Sequence, residues 1–198
     1  MKERHYFTDN SDLPSHPKEV LCSMGKRTWT FVTDDGVFSK SEVDRGTMVL
    51  LKALIYEDLQ GKVLDLGCGY GVIAVVLKSV FPDIEAIASD VNPRALELAE
   101  KNAAKNGAAV RLISSDGFAA IEETFDVIVT NPPIRTGKAV IYAMFEDAYK
   151  HLSEGGRFYA VIRRKQGAES AMNKLAEIFG SCDLIDRGKG YWVLRCVK

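Results

Sequence analysis

The sequence predicts a doubly wound α/β sheet of seven strands, one of them antiparallel, preceded by a small N-terminal β appendage. Three observations carry this. Short apolar runs alternate along the chain with longer segments of helical periodicity, the order of a parallel sheet covered by helices. A glycine-rich turn, Asp65-x-Gly67-x-Gly69-x-Gly71, joins one such strand to a helix. Two strand-like runs close the chain across Gly188-Lys189-Gly190, a hairpin that brings one antiparallel strand into the sheet.

Residues 1 to about 18, with Pro14 and Pro17, read as an irregular arm. Glu19–Met24 and Arg27–Val32 alternate apolar and polar around Gly25-Lys26, a hairpin signature, and Asp34-Asp35-Gly36 marks a second turn. A helix through Met48, Leu50, Leu51 and Leu54 precedes the strand that ends at Asp65, and Val72–Leu77 resumes as an apolar helix. Glu85–Asp90 is the second strand of the sheet. Asn92-Pro93 caps a helix that ends near Asn106 at Gly107. Val110–Gly117 and Phe125–Thr130 supply the third and fourth strands. A helix over 139–152, a strand over 157–162, a helix over about 168–179 and the hairpin from Cys182 to Val197 complete five β-then-α units and the close. With no repeat and no linker, the chain reads as one domain over 1–198, an arm and hairpin over 1–36 and a core over 37–198.

Composition bounds the function. With 198 residues, 46% hydrophobic and 27% charged, the chain has the balance of a folded globular domain. No apolar run approaches the ~20 residues of a membrane span, and Met1–Phe7 lacks the apolar stretch of a secretory signal, so a cytoplasmic location away from membranes is expected. Cysteines 22, 68, 182 and 196 have neither CxxC nor zinc spacing; free thiols and no metal are expected. A net charge of −1 does not announce a nucleic-acid binder. Basic clusters do exist: Lys26-Arg27, Arg135 with Lys138, Arg163-Arg164-Lys165, and Arg187 with Lys189. They bear on function only if the fold gathers them beside the site.

The glycine turn makes a place where a ligand lies against backbone, with helix N–H groups suited to an anionic moiety. Its order differs from the dinucleotide fingerprint G-x-G-x-x-G. It resembles the first motif of class I S-adenosylmethionine (SAM) methyltransferases, a Rossmann-like fold in which this loop lies beside the amino-acid part of SAM. Asp90, about 20 residues beyond the glycines, sits where a carboxylate meets ribose hydroxyls. In the methyltransferase pattern, Asp116 and Gly117 meet the adenine amino group. Asp44 and Thr47 either line the same pocket or cap their helix.

Asn131-Pro132-Pro133 follows the fourth strand. Prolines fix the backbone and donate no N–H, so with the Asn131 side-chain carbonyl they present a stiff cluster of acceptors. Such a cluster holds both hydrogens of an exocyclic amine and frees its lone pair; methyl transfer then needs alignment rather than a strong base. The tetrapeptide with Ile134 resembles the (N/D)PP(Y/F) motif of amino-group methyltransferases, with isoleucine in place of a stacking aromatic.

Gly36-Val37-Phe38-Ser39, Asp44-x-Gly46-Thr47, Asp65 to Gly71 and Asn131 to Lys138, in this order, are similar to the guanine-N2 methyltransferases of small-subunit ribosomal RNA, the RsmC type. Many members carry a second, degenerate N-terminal copy of the domain, and the resemblance implies that this chain corresponds to the catalytic half alone. The resemblance implies a SAM site of Phe38, Asp44, Thr47, Asp65, Gly67, Gly69, Gly71, Asp90, Asn92, Asp116 and Gly117. It implies that Asn131, Pro132 and Pro133 are catalytic. Ile134, Arg135 and Lys138 would touch substrate, the last two through RNA phosphate, and the target base would leave its stack. The product would be S-adenosylhomocysteine and the partner ribosomal RNA or the small ribosomal subunit. Other readings are methylation of adenine N6 or a protein glutamine amide, an NAD-type oxidoreductase, or a non-catalytic SAM- or RNA-binding module.

Overall fold

A computed structural model describes residues 15–39 and 41–198, except the Arg135 side chain. Most of the expected arm and the reach of Arg135 therefore lie outside the described residues. The expected hairpin is present as β1 (Lys18–Met24) and β2 (Arg27–Thr33), antiparallel with Val20 opposite Phe31 and Cys22 opposite Trp29. Alternation puts Val20, Cys22, Met24, Trp29 and Phe31 on one buried face.

The outer edge of β2 is closed by side chains rather than by another strand. Helix α3 (Pro93–Lys105) presents Asn102, and Asn106 follows one turn on at its C-cap. The Asn102 amide accepts from Val32 N–H at 2.6 Å and donates to Val32 C=O at 2.9 Å. Asn106 repeats the pattern on Thr30 at 3.2 and 2.9 Å. An i, i+4 helix spacing thus matches the i, i+2 outward groups of a strand edge.

The core sheet holds β3 (Lys62–Leu66), β4 (Glu85–Asp90), β5 (Val110–Ser114), β6 (Phe125–Thr130), β7 (Leu152–Arg163), β8 (Asp183–Gly188) and β9 (Tyr191–Val197). Their order is β5-β4-β3-β6-β7-β9-β8, and only β9 runs against the rest. Strand parity divides the core. Val63, Val127, Val129 and Val161 face α1 (Arg45–Leu54), α2 (Val72–Val80) and α3; Leu64, Leu66, Ile128 and Phe158 face α4 (Lys138–Lys150) and α5 (Ala168–Phe179). Both faces are apolar because both are covered.

Two expectations need correction. The β5–β6 connection, residues 115–124, contains turns and no helix, so there are four β-then-α units rather than five. Ten residues must cross β4 and β3, roughly 14 Å at about 4.8 Å per strand, and a helix rising 1.5 Å per residue leaves too little chain for that. Phe118 and Ile121 cover the sheet there instead, with Phe118 stacked on His151 at 4.4 Å between ring centroids. The helix expected over 139–152 ends at Lys150, and β7 begins at Leu152, well before the expected 157. No helix among the described residues is long and apolar enough to cross a membrane.

The chain winds outward from β3 to β5, then crosses to β6, which makes β3 and β6 the switch point where ligands collect. Thr130 Oγ1 donates to Leu66 C=O at 2.9 Å and ties the two carboxyl ends together.

Candidate active site

A cavity of about 240 Å³ opens over these carboxyl ends. Its walls include Phe38 and Asp44 from the segment leading into α1, Thr47 from its first turn, Gly67 and Gly69 from the glycine turn, Asp90 at the end of β4 and Asn92 just after it. Asp116 and Gly117 follow from β5, and Asn131, Pro132 and Pro133 from β6. Twelve of the sequence-derived candidates thus meet in one place. Four of the others are set apart, and the Arg135 side chain lies outside the described residues. Asp65 and Gly71 lie behind the cavity wall, Ile134 and Lys138 line a small separate cavity with Gly167 and Tyr142, and the Lys138 ammonium rests 3.5 Å from Ser170 Oγ.

The glycine turn uses its N–H groups internally. Gly67 and Cys68 N–H both donate to Ser89 C=O at 2.9 Å, Gly69 N–H to Asp90 Oδ2 at 2.8 Å and Gly71 N–H to Cys68 C=O at 3.0 Å. Ala74 N–H, in the first turn of α2, donates to Asp65 Oδ2 at 3.0 Å. The N–H cradle for an anion expected from the sequence is therefore largely spent. What the glycines supply is room. Gly67 and Gly69 hold φ of 73° and 55°, and a Cβ on either would enter open space at the cavity wall. Gly71, at φ 87°, has a packing duty, since a Cβ there would stand 3.0 Å from Ala99 Cβ on α3.

The charged side chains that line the cavity among the described residues are Asp44, Asp90 and Asp116, all acidic. Burial raises the Asp90 carboxyl above its ordinary range, opposed by N–H groups from Asn92 (2.9 Å), Gly69 and Val91. Asp65, just behind, is buried with Oδ1 unpartnered among the described residues; burial pushes its carboxyl up to about 7. Such a pocket favours a cation over a pyrophosphate.

Asn131 is oriented without ambiguity. Its Nδ2 lies 3.0 Å from Asp44 Oδ2 and 3.0 Å from Thr47 Oγ1. A carboxylate only accepts, so the amide must turn its NH₂ to Asp44, which leaves Oδ1 as the acceptor towards the cavity. Asp44 Oδ2 also accepts from Thr47 N–H at 3.0 Å as the N-cap of α1. Both alternatives read from the sequence for Asp44 therefore hold at once. The proline acceptors narrow: Pro133 C=O already accepts from Thr136 N–H (2.9 Å) and Oγ1 (2.8 Å), while Pro132 C=O receives no hydrogen bond among the described residues.

Sequence reasoning missed Val91, Val140 and Met144 on the cavity wall. Val91 and Val140 are exposed apolar side chains; Val140 and Met144 stand one turn apart at the start of α4, where periodicity marks them as ordinary helix residues. Thr136, which holds the Pro133 carbonyl, lies within the Asn131–Lys138 stretch, where nothing in the local pattern distinguishes it.

Comparison with known proteins gives the family. The protein YbxB of Bacillus subtilis (strain 168), itself uncharacterized, is 40% identical over 197 residues, 98% of each chain. Ribosomal RNA small subunit methyltransferase C of Actinobacillus pleuropneumoniae serotype 7 is 43% identical over 162 residues, 79% of this chain and 48% of that protein. A solved structure of the T. thermophilus 16S rRNA N2 methyltransferase RsmC, in complex with AdoMet and guanosine, superposes with a TM-score of 0.83 at 29% identity. It covers 94% of this chain and 52% of its own. The chain thus spans about half the length of the RsmC relatives it matches. Residues 28–195, which include most of the hairpin strand β2, the glycine turn, the Asn-Pro-Pro corner and most of β9, match the family as a unit: the chain belongs to the Methyltransferase small domain family.

Proposed function

We propose that this chain transfers the methyl group of SAM to the exocyclic N2 amine of a guanine in small-subunit ribosomal RNA, in the cytoplasm. The observation that carries the reading is the Asn131 amide, clamped by Asp44 and Thr47 so that its carbonyl oxygen, beside the free Pro132 carbonyl, meets a cavity lined by carboxylates. Resemblance to RsmC proteins over most of this chain supports guanine as the acceptor.

The residues fit SAM on the structure's own terms: an acid-only lining suits a cationic ligand, and the space above Gly67 and Gly69 suits one that lies on backbone. When bound, SAM supplies an activated methyl group on a sulfonium centre. In this assignment the glycine turn takes the amino-acid part. Asp90, with lone-pair capacity beyond that given to Gly69, Val91 and Asn92, takes the ribose hydroxyls, and Asp116-Gly117 meets the adenine edge. Ser115 stiffens that last turn, donating to Gly117 C=O at 2.9 Å and accepting from Ala120 N–H at 3.0 Å. Asp65 and Gly71 act from behind, by fixing the first turn of α2 and its approach to α3.

Asn131 Oδ1 and Pro132 C=O accept the two amine hydrogens and favour a pyramidal nitrogen whose lone pair points into the cavity. The Asp44 carboxylate, by accepting from Nδ2, draws charge onto Oδ1 and strengthens it as an acceptor. The amine needs no base before transfer and loses its proton once cationic.

The experiment is incubation with radiolabelled SAM and small ribosomal subunits, followed by nucleoside analysis. Expected is N2-methylguanosine with the native chain and none with Asn131→Ala, at nearly unchanged affinity for S-adenosylhomocysteine. Label in protein, in adenine, or undiminished in the variant would overturn the reading.

A further inference from the structure

We propose that the rim formed by Arg163-Arg164-Lys165 and the β8–β9 turn grips the phosphodiester backbone of the RNA whose base enters the cavity. This rests on the function proposed above and adds where the substrate is held. In sequence these cations fall into two groups over 20 residues apart. The fold joins them, because β7 and β8 are parallel and both end on the side of the sheet where the cavity opens, while β9 starts there. Arg163 pairs with Tyr191 in register, and Arg164 N–H donates to Gly190 C=O at 2.8 Å, fastening one basic segment to the other through backbone. Arg163, Arg164, Lys165, Arg187 and Lys189 are all exposed.

Their grouping sets them apart. Several cations elsewhere are paired: Lys62 with Glu123, Lys105 with Glu19, Arg111 with Glu85 and Glu123, Lys174 with Glu146, Arg195 with Asp183; others, such as Lys26, Lys52 and Lys101, form no ion pair among the described residues but are not gathered five to an edge. Among the described residues none of the five rim cations forms an ion pair. In a chain of net charge −1, five unpaired cations on one edge leave the remainder net acidic, so the rim is a local positive feature. Lys189 also holds φ 52° before Gly190 at 84°, a two-residue turn in which asparagine is the easier occupant. A lysine is kept there at a conformational cost.

Tyr191 connects rim and cavity. A Cβ on Gly46 would lie 2.8 Å from the Tyr191 ring, which places the ring against the first turn of α1 beside Asp44. Its phenol is raised by burial and by Asp44 from the cavity side, and lowered by Arg163 of the rim and by Arg45 of α1. One ring therefore senses both the cavity wall and the cations. Arginine and lysine fixed on a stiff edge suit phosphate oxygens, and the cavity next door suits a base. By contrast, Lys26-Arg27 lies at the far end: Arg27 reaches Ser79 C=O near the C-terminus of α2, by the amino ends of the strands.

The test compares the triple variant Arg164→Gln/Lys165→Gln/Lys189→Asn with the distal pair Lys26→Gln/Arg27→Gln. Asparagine at 189 keeps the positive φ. Binding to a fluorescent single-stranded oligoribonucleotide is followed over a KCl series. In the triple variant the slope of log K against log[salt] should shrink by roughly 2, about 0.7 for each phosphate no longer neutralised, and affinity should fall on the order of tenfold. The distal pair should match the native chain, and both should bind S-adenosylhomocysteine normally. Transfer to small ribosomal subunits should show raised KM and unchanged kcat. Equal losses in the two variants, or an unmoved slope in the triple variant, overturns the rim. Native protein that methylates no RNA sinks the parent reading, whereas native methylation with an unaltered KM in the triple variant sinks the rim alone. Loss of binding to phosphatidylserine vesicles instead of RNA would reassign the surface to membranes and also overturn it.

Discussion

Asn131 Nδ2 and Asp44 Oδ2 meet at 3.0 Å, although 87 residues separate them in the chain. One carboxylate oxygen thereby starts helix α1 and aims the amide after β6. Asp44→Ala should lower kcat by on the order of tenfold or more, because misplacement of a positioning group is costly, and cost about 1 kcal/mol of stability through the lost cap. Asp44→Ser restores a capping oxygen but not the reach to Asn131, so it should recover stability and leave kcat low. Steady-state kinetics beside chemical unfolding separates the two; recovery of kcat with the cap would refute a positioning role.

Asp65 makes stability depend on pH. Its carboxyl rises from 3.8 to about 7, first through burial, against the Ala74 N–H and with Asp90 adding. The folded chain therefore holds a proton that the unfolded chain releases. The stabilisation is full below the unfolded value and is lost as pH climbs through about 7. Asp90, raised in the same direction by burial, reinforces the trend. Urea unfolding of ligand-free protein should give a lower stability at about pH 8 than at about pH 5, and Asp65→Asn should flatten much of that difference. An unchanged slope in the variant would remove Asp65 as its source.

Two glycines of one motif should fail differently. Gly71→Ala meets Ala99 at 3.0 Å and holds φ 87°, so a loss of about 2 kcal/mol or more is expected. Gly67→Ala meets nothing within 4 Å, so its strain is about 1–2 kcal/mol. Its methyl enters the cavity, however, and calorimetry should show weakened binding of S-adenosylhomocysteine. Intact binding by the Gly67 variant would place the ligand elsewhere.

Asn102 joins three parts: it bonds both backbone groups of Val32 and donates to Tyr70 C=O in the glycine turn at 2.8 Å. Asn102→Leu keeps the volume but strands those three groups, at a cost of about 2–4 kcal/mol. The thermal midpoint should drop by several degrees, about 4 °C for each 1 kcal/mol or somewhat less at this chain length. Wild-type stability in the variant would mean that the hairpin edge is satisfied otherwise.

By itself the sequence determined most of the elements and the side of the sheet on which the candidate residues gather. Apolar periodicity marked the strands, and Asp65 with the glycines, Asp90, Asp116 and Asn131 each fell at a strand end, because local pattern and turn chemistry are written in neighbouring residues. It misjudged the β5–β6 connection, where the distance to be crossed decided against a helix. Only the tertiary structure decided which acceptors stay free, that the glycine turn spends its N–H groups internally, that Asp44 serves both α1 and Asn131, and that two basic segments share an edge. Those are questions of which hydrogen-bonding group meets which across 20 to 90 residues of chain, and close packing alone settles them.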